Sequence, residues 1–156
     1  GYKKVLQTYF MVMMETFHRG VALYAMARRT KKRKYKRHAR RVLRTIQAWI
    51  KKGNPNVHHY NLLLCAEEAA LDKKNHATAD EMYNKAIVYT ARAGHLHHAA
   101  LFNERYSDFL LQNGPYYAED KAQYRLEQAI HYYQEWGAEA KVELLKKKLS
   151  EGMNAR

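Results

Sequence analysis

At 156 residues, with 47 per cent hydrophobic side chains, the chain is the size of one ordinary domain and can bury a core, which excludes general disorder. Only two prolines and seven glycines interrupt it, and runs of Val, Ile and Thr are missing, so long helices with short connectors are expected and a sheet is not. The net charge of +13 is lopsided: residues 1–53 carry sixteen Lys or Arg against the single acid Glu15, whereas residues 54–156 carry twelve against fourteen acids.

Seven helical segments follow in order. The first, over residues 6–29, sets Leu6, Phe10, Met13, Phe17, Val21 and Tyr24 along one side. The second, over 33–52, has an inner stripe of Tyr35, Ala39, Val42, Leu43, Ile46 and Ile50, and ends at Gly53-Asn54-Pro55-Asn56. Glycine and asparagine tolerate positive φ there, and proline cannot continue a helix. The third, over 57–73, is rich in Leu and Ala. A fourth, over 77–93, stops at Gly94, and a fifth, over 96–112, at Asn113-Gly114-Pro115. The sixth, over 116–136, stops at Gly137, and the seventh, over 139–150, carries Val142, Leu145 and Leu149. Apolar steps of three and four support each segment.

Cys65 is the only cysteine, so no internal disulfide can form, and a reducing compartment is the simpler expectation. The stretch from Val5 to Ala27 is broken by Gln7, Thr8, Glu15, His18 and Arg19, too polar for an isolated membrane span, and no signal-peptide cleavage site follows it. The chain starts at Gly1 without an initiator Met and is read as a piece of something longer.

Internal repetition organises these helices. Ala79-x3-Tyr83-x2-Ala86-Ile87-x-Tyr89-x4-Gly94 recurs as Ala122-x3-Leu126-x2-Ala129-Ile130-x-Tyr132-x4-Gly137, with a worn copy at Val42-x2-Thr45-Ile46-x-Ala48-x4-Gly53. Repeats of this period imply units that cannot bury their apolar faces alone. Alanines seven apart lie two turns along one side and let a partner helix approach, with Tyr83 or Leu126 filling the space between. The Ala-x3-aromatic-x2-Ala pattern resembles the second helix of tetratricopeptide repeats. A generic antiparallel bundle is the alternative. The expected fold is therefore all-α: an α-solenoid of about three antiparallel helix pairs (6–53, 57–94 and 96–137) with a capping helix at 139–150, within one domain.

A more specific resemblance rests on Ala25-Met-Ala-Arg28, Arg33-Lys-Tyr-Lys36, Trp49-Ile-Lys-Lys-Gly53, Asn54-Pro-Asn56, the Leu62-to-Ala70 helix, Gly94-His-Leu-His97, Ala100-Leu-Phe-Asn-Glu-Arg105, Tyr132-Tyr-Gln-Glu-Trp-Gly-Ala138 and Lys141-Val142. Together these are similar to the helical repeat region of large multidomain signalling ATPases of the AAA or STAND type. Such proteins are often joined to kinase, GAF and histidine-kinase modules, and the basic second helix is similar to algal, diatom-like copies. The resemblance implies a regulatory array in signal transduction. No phosphate-binding loop, kinase glycine loop or phospho-acceptor histidine box accompanies it.

The strongest local anomaly is the tract from Arg28 to Arg44, in which Arg28, Arg29, Lys31, Lys32, Arg33, Lys34, Lys36, Arg37, Arg40, Arg41 and Arg44 crowd together. Such a tract is either a solvated outer face of the second helix or an electrostatic footprint for an acidic protein, nucleic acid or an anionic membrane. No aromatics alternate with its charges as a base-stacking platform would require. His58-His59 and His95-x-His97-His98 lack metal-ligand spacing and read as surface, packing or cap residues. Glu67-Glu68 and Asn103-Glu104-Arg105 are mid-helix polar groups, expected to bond a tyrosine or arginine of another helix. No nucleophile is paired with a base, and no cofactor is expected.

The expectation is a non-catalytic interaction or scaffold module, intracellular and most simply cytoplasmic, with the nucleus or an organelle as alternatives. Its groove would be lined by Asn61, Glu68, Asn103 and Arg105, and its basic surface by Arg28, Arg29, Arg33, Lys36, Arg37, Arg40, Arg41 and Arg44. The alternative makes the tract itself a polyanion-binding surface.

Overall fold

The computed structural model describes residues 1–112 and 118–152. Seven α-helices and no strand occur among the described residues: α1 (Tyr2–Thr30), α2 (Arg33–Lys51), α3 (His58–Ala69), α4 (His76–Arg92), α5 (Leu96–Gln112), α6 (Glu119–Trp136) and α7 (Glu139–Gly152). Short 3-10 turns at Pro55–Val57 and Lys73–Asn75 flank α3. The second shortens α3 against the expected span, because the Asp72 carboxylate accepts a hydrogen bond from the Lys74 N–H and starts a new turn. The expected stop at Asn113-Gly114-Pro115 and the expected start of the sixth helix at Tyr116 lie outside the described residues.

Three helix ends share one geometry. Gly53, Gly94 and Gly137 have φ of 88°, 77° and 85°. Each glycine N–H bonds the carbonyl three residues back, and the next N–H bonds the carbonyl five back: Ile50 and Trp49, Ala91 and Thr90, Gln134 and Tyr133. This paired closure satisfies the last carbonyls of a helix and demands a left-handed residue, for which glycine has no Cβ penalty. The repeat alanines Ala79, Ala86, Ala122 and Ala129 are fully buried, as are Tyr83 and Leu126.

The chain forms two compact units, Gly1–Ala79 and Asp80–Arg156, with the boundary inside the first turn of α4. In the first unit α1 packs on α2 and both meet α3. Gly20 permits this approach: a Cβ there would lie 3.0 Å from both the Val42 and Leu64 side chains. Phe17 stacks on Tyr60 at 4.2 Å between ring centres, and Tyr24, Ile46, Leu63 and Leu64 complete the core. The cover of the α1 stripe is incomplete. Leu6 and Phe10 are 50 and 51 per cent exposed, because the inner stripe of α1 is covered only from Met13 onward, and all of residues 1–12 are exposed.

In the second unit α5 packs along α6, and α6 against α7. Leu126, Ala129, Ile130, Tyr133, Val142 and Leu145 form a core cluster with Ala100. Tyr83 of α4 stacks on Tyr106 of α5 at 5.2 Å.

Candidate functional site

The basic helix α2 is amphipathic. Ala39, Val42, Leu43 and Ile46 are buried on one side. On the other, steps of four place Arg33, Arg37 and Arg41 in one row and Lys36, Arg40 and Arg44 in a second. Each row is about 12 Å long at 1.5 Å per residue. The six side chains line a shallow groove of about 600 Å³. All are exposed except Lys36, which is half-buried.

Only one of these six cations meets an acid among the described residues: Arg40 Nε lies 2.7 Å from Glu68 Oε1 of α3. Glu68 also lies beside the Tyr24 hydroxyl, and burial followed by this nearby carboxylate pushes the phenol well above its usual range. Arg40 is therefore tied to α3 by Glu68. Arg33, Lys36, Arg37, Arg41 and Arg44 are not. A second groove of about 370 Å³, between α1 and α2, adjoins the face at Arg41 and is lined by Arg19, Leu23, His38, Val42 and Thr45.

Other members of the tract fare differently. Arg29 is exposed, and its guanidinium reaches the Met26 sulfur at 3.0 Å. Lys31 takes a left-handed conformation (φ 59°) and turns α1 into α2. Arg28, expected on the basic surface, is withdrawn from it: 8 per cent exposed, it donates to the fully buried Glu67 at 2.7 Å. Arg28 falls on the core-facing side of α1, one turn beyond Tyr24, so its charge is consumed inside the unit.

The expected groove residues also separate. Asn61 accepts from the Gln47 amide at 3.3 Å and from the Cys65 thiol at 3.5 Å, joining α3 to α2. Burial raises the Cys65 thiol pKa above its usual value, which makes it a poor thiolate source. Asn103 is 1 per cent exposed, and its amide donates to the Ala99 carbonyl at 2.8 Å, so it lines no surface. Arg105 is half-buried and pairs with Asp108 at 3.3 Å. Asn61 and Glu68 belong to the first unit, Asn103 and Arg105 to the second.

The expectation that Asn103-Glu104-Arg105 bond a tyrosine or arginine of another helix is met by Asn103 and Glu104, whereas Arg125, Asn84 and Asp80 were missed as members of the network. Arg125 of α6 donates to Asn84 at 2.8 Å and to Asn103 at 3.4 Å, and lies over the Tyr106 ring at 5.0 Å. The Tyr106 hydroxyl donates to Asp80 and accepts from Asn84. Nearby, Glu104 accepts from the Tyr133 hydroxyl at 3.2 Å and pairs with Lys141 at 2.9 Å, while Lys148 pairs with Asp108. Burial, then the neighbouring carboxylate, raises the pKa of both tyrosines, so each stays a neutral donor. These are ties between helices, with no nucleophile beside a base.

Among the described residues no group of three His, Cys, Asp or Glu side chains is placed to hold a metal. His97 stacks on Trp136 at 5.0 Å. No described helix is long and apolar enough to cross a membrane. No protein-family model, no curated protein and no solved structure matches the chain.

Proposed function

We propose that this chain is a non-catalytic helical-repeat module that docks a polyanionic partner on the outer face of α2. The observation that carries the reading is the pair of parallel rows, Arg33-Arg37-Arg41 and Lys36-Arg40-Arg44, with only Arg40 paired to an acid among the described residues. Like charges four apart on a helix oppose each other by about 0.2–0.5 kcal/mol per pair. A merely solvated face has no need of that cost, since a few acids or glutamines would remove it. Six concentrated cations instead create a positive potential suited to phosphates or carboxylates.

The three glycine-closed helices and buried alanines support an α-solenoid of helix pairs with α7 as its cap. The motif resemblance supports a place in an intracellular signalling protein. In that setting the array is a scaffold, and α2 is its contact with an acidic partner.

The test is retention on immobilised heparin, on an acidic peptide and on duplex DNA at low salt. The variant Arg33→Glu/Arg37→Glu/Arg41→Glu/Arg44→Glu serves as control, leaving the Arg40–Glu68 tie in place. Retention lost in the variant supports the reading. Equal retention of both proteins, or none by either, overturns it.

A further inference from the structure

The first three turns of α1 carry an apolar face that the first unit leaves bare. Tyr2, Leu6, Tyr9 and Phe10 continue, at helical steps of three and four, the stripe that Met13, Phe17, Gly20 and Tyr24 bury further along. Tyr2 is 80 per cent exposed, and Val5, Leu6, Tyr9, Phe10, Met11 and Val12 are about half exposed or more. The stripe becomes bare where α2 runs out: Asn54, just past the end of α2, donates to the Met13 sulfur at 3.3 Å. The bare segment, residues 2–12, is about 16 Å long at the helical rise. It therefore lies on the side of α1 that α2 occupies. Its other side carries Lys4, Gln7 and Thr8 together with the exposed Met11, while Lys3 borders Phe10 at the edge of the apolar face.

Two features thus occur in one unit: an exposed, largely apolar helix segment with two lysines and three aromatic residues, and the two cation rows of α2, of which only Arg40 meets an acid among the described residues. A nucleic-acid backbone would use the second and leave the first in water. A second copy of this chain would cover the first but would bring together two units that each hold eighteen Lys and Arg against four acids. An anionic lipid surface satisfies both at once. Shallow insertion takes up the apolar face, Tyr and Lys suit the headgroup level, and the basic rows meet the lipid charge. Interfacial binding of this kind strengthens with buried apolar area and with attraction to anionic lipid.

Resting on the polyanion reading above, we infer that the first unit is a peripheral membrane-docking element: residues 2–12 of α1 enter the interface of an anionic bilayer whose headgroups the α2 rows engage. The test uses the full chain with phosphatidylcholine vesicles containing phosphatidylserine, pure phosphatidylcholine vesicles and duplex DNA. Two variants accompany it, Leu6→Asp/Phe10→Asp and Arg37→Glu/Arg41→Glu; all four positions are exposed, and circular dichroism checks that both keep their helix content. The expected result is binding to the anionic vesicles alone among the two lipids. Leu6→Asp/Phe10→Asp should weaken vesicle binding at least about tenfold while leaving heparin retention unchanged, and Arg37→Glu/Arg41→Glu should lose both. Vesicle binding unaltered in Leu6→Asp/Phe10→Asp overturns the inference, as does a failure to bind the anionic vesicles when heparin and duplex DNA are bound. A dimer that this variant dissociates, with vesicle binding intact, assigns the stripe to a second copy and overturns it too. The underlying polyanion reading fails separately, if the unaltered chain binds neither vesicles, DNA nor heparin at low salt.

Discussion

The two units treat their cations in opposite ways. In the second, Arg125, Lys141 and Lys148 each reach from one helix to an acid or amide on another, and the ten Lys and Arg are balanced by eleven acids. In the first, eighteen cations face four acids, and among the described residues only Arg28 and Arg40 of the tract have carboxylate partners. Where a charge is part of the architecture, this protein supplies its partner. Five of the six cations in the α2 rows have no such partner among the described residues, and the difference separates a structural use of charge from an outward-facing one.

Removing the charge pair that the first unit buries should have the largest effect. Glu67→Ala strands Arg28 in the core and is expected to destabilise the chain by about 3–5 kcal/mol, whereas Arg28→Met/Glu67→Leu should lie near neutral. Chemical denaturation checks both. If Glu67→Ala unfolds like the unaltered protein, Arg28 is not committed to the core and returns to the basic surface.

Breaking the network of the second unit comes next. Arg125→Ala deprives Asn84 and Asn103 of a donor and should cost about 1–3 kcal/mol in the same assay. Arg37→Gln, by contrast, should leave stability unchanged or raise it by a few tenths of a kcal/mol through relief of like-charge repulsion. Equal losses at Arg125 and Arg37 would erase the distinction between the units.

Gly94→Ala and Gly137→Ala probe the repeat itself. A Cβ at either position meets no neighbour within 4 Å, so only the left-handed backbone resists it, at about 1–2 kcal/mol. Similar costs at the two sites, read by thermal melting, support equivalent helix ends.

The smallest effect is on pH dependence. Burial holds the phenols of Tyr24 and Tyr60 in the first unit, and Tyr106 and Tyr133 in the second, above the ordinary value of 10.0, with Tyr60 pushed up to about 12. The unfolded chain ionises first, so this stabilisation is complete below pH 10 and is lost as pH rises through the folded values. Melting temperature should fall above about pH 10, less steeply in Tyr60→Phe. Identical pH profiles for that variant and the unaltered chain would contradict the assignment.

Much of the fold was legible because it is local. The glycines that end α2, α4 and α6 act within one turn, and the alanines seven apart announce close packing by size alone. The basic tract was equally plain, because charge composition needs no fold to be seen. What escaped depends on neighbours distant in sequence. Arg28 and Glu67 are thirty-nine residues apart, and nothing local separates Arg28 from Arg29. Asn103 sits among polar neighbours but is turned inward to Ala99, and Arg125 meets partners on two other helices. The exposure of Leu6 and Phe10 was hidden for another reason. Periodicity shows which side of α1 is apolar, while the length of cover depends on the 19 residues of α2 set against the 29 of α1.

The salt dependence of polyanion binding tests the central claim most directly. Each phosphate neutralised contributes about 0.9 to the slope of log affinity against log salt, so the six-cation face should give a slope of roughly −5 on duplex DNA, falling by about two in Arg37→Gln/Arg41→Gln. A slope near zero, or one that the double variant leaves unchanged, would contradict the assignment of α2 as the docking face.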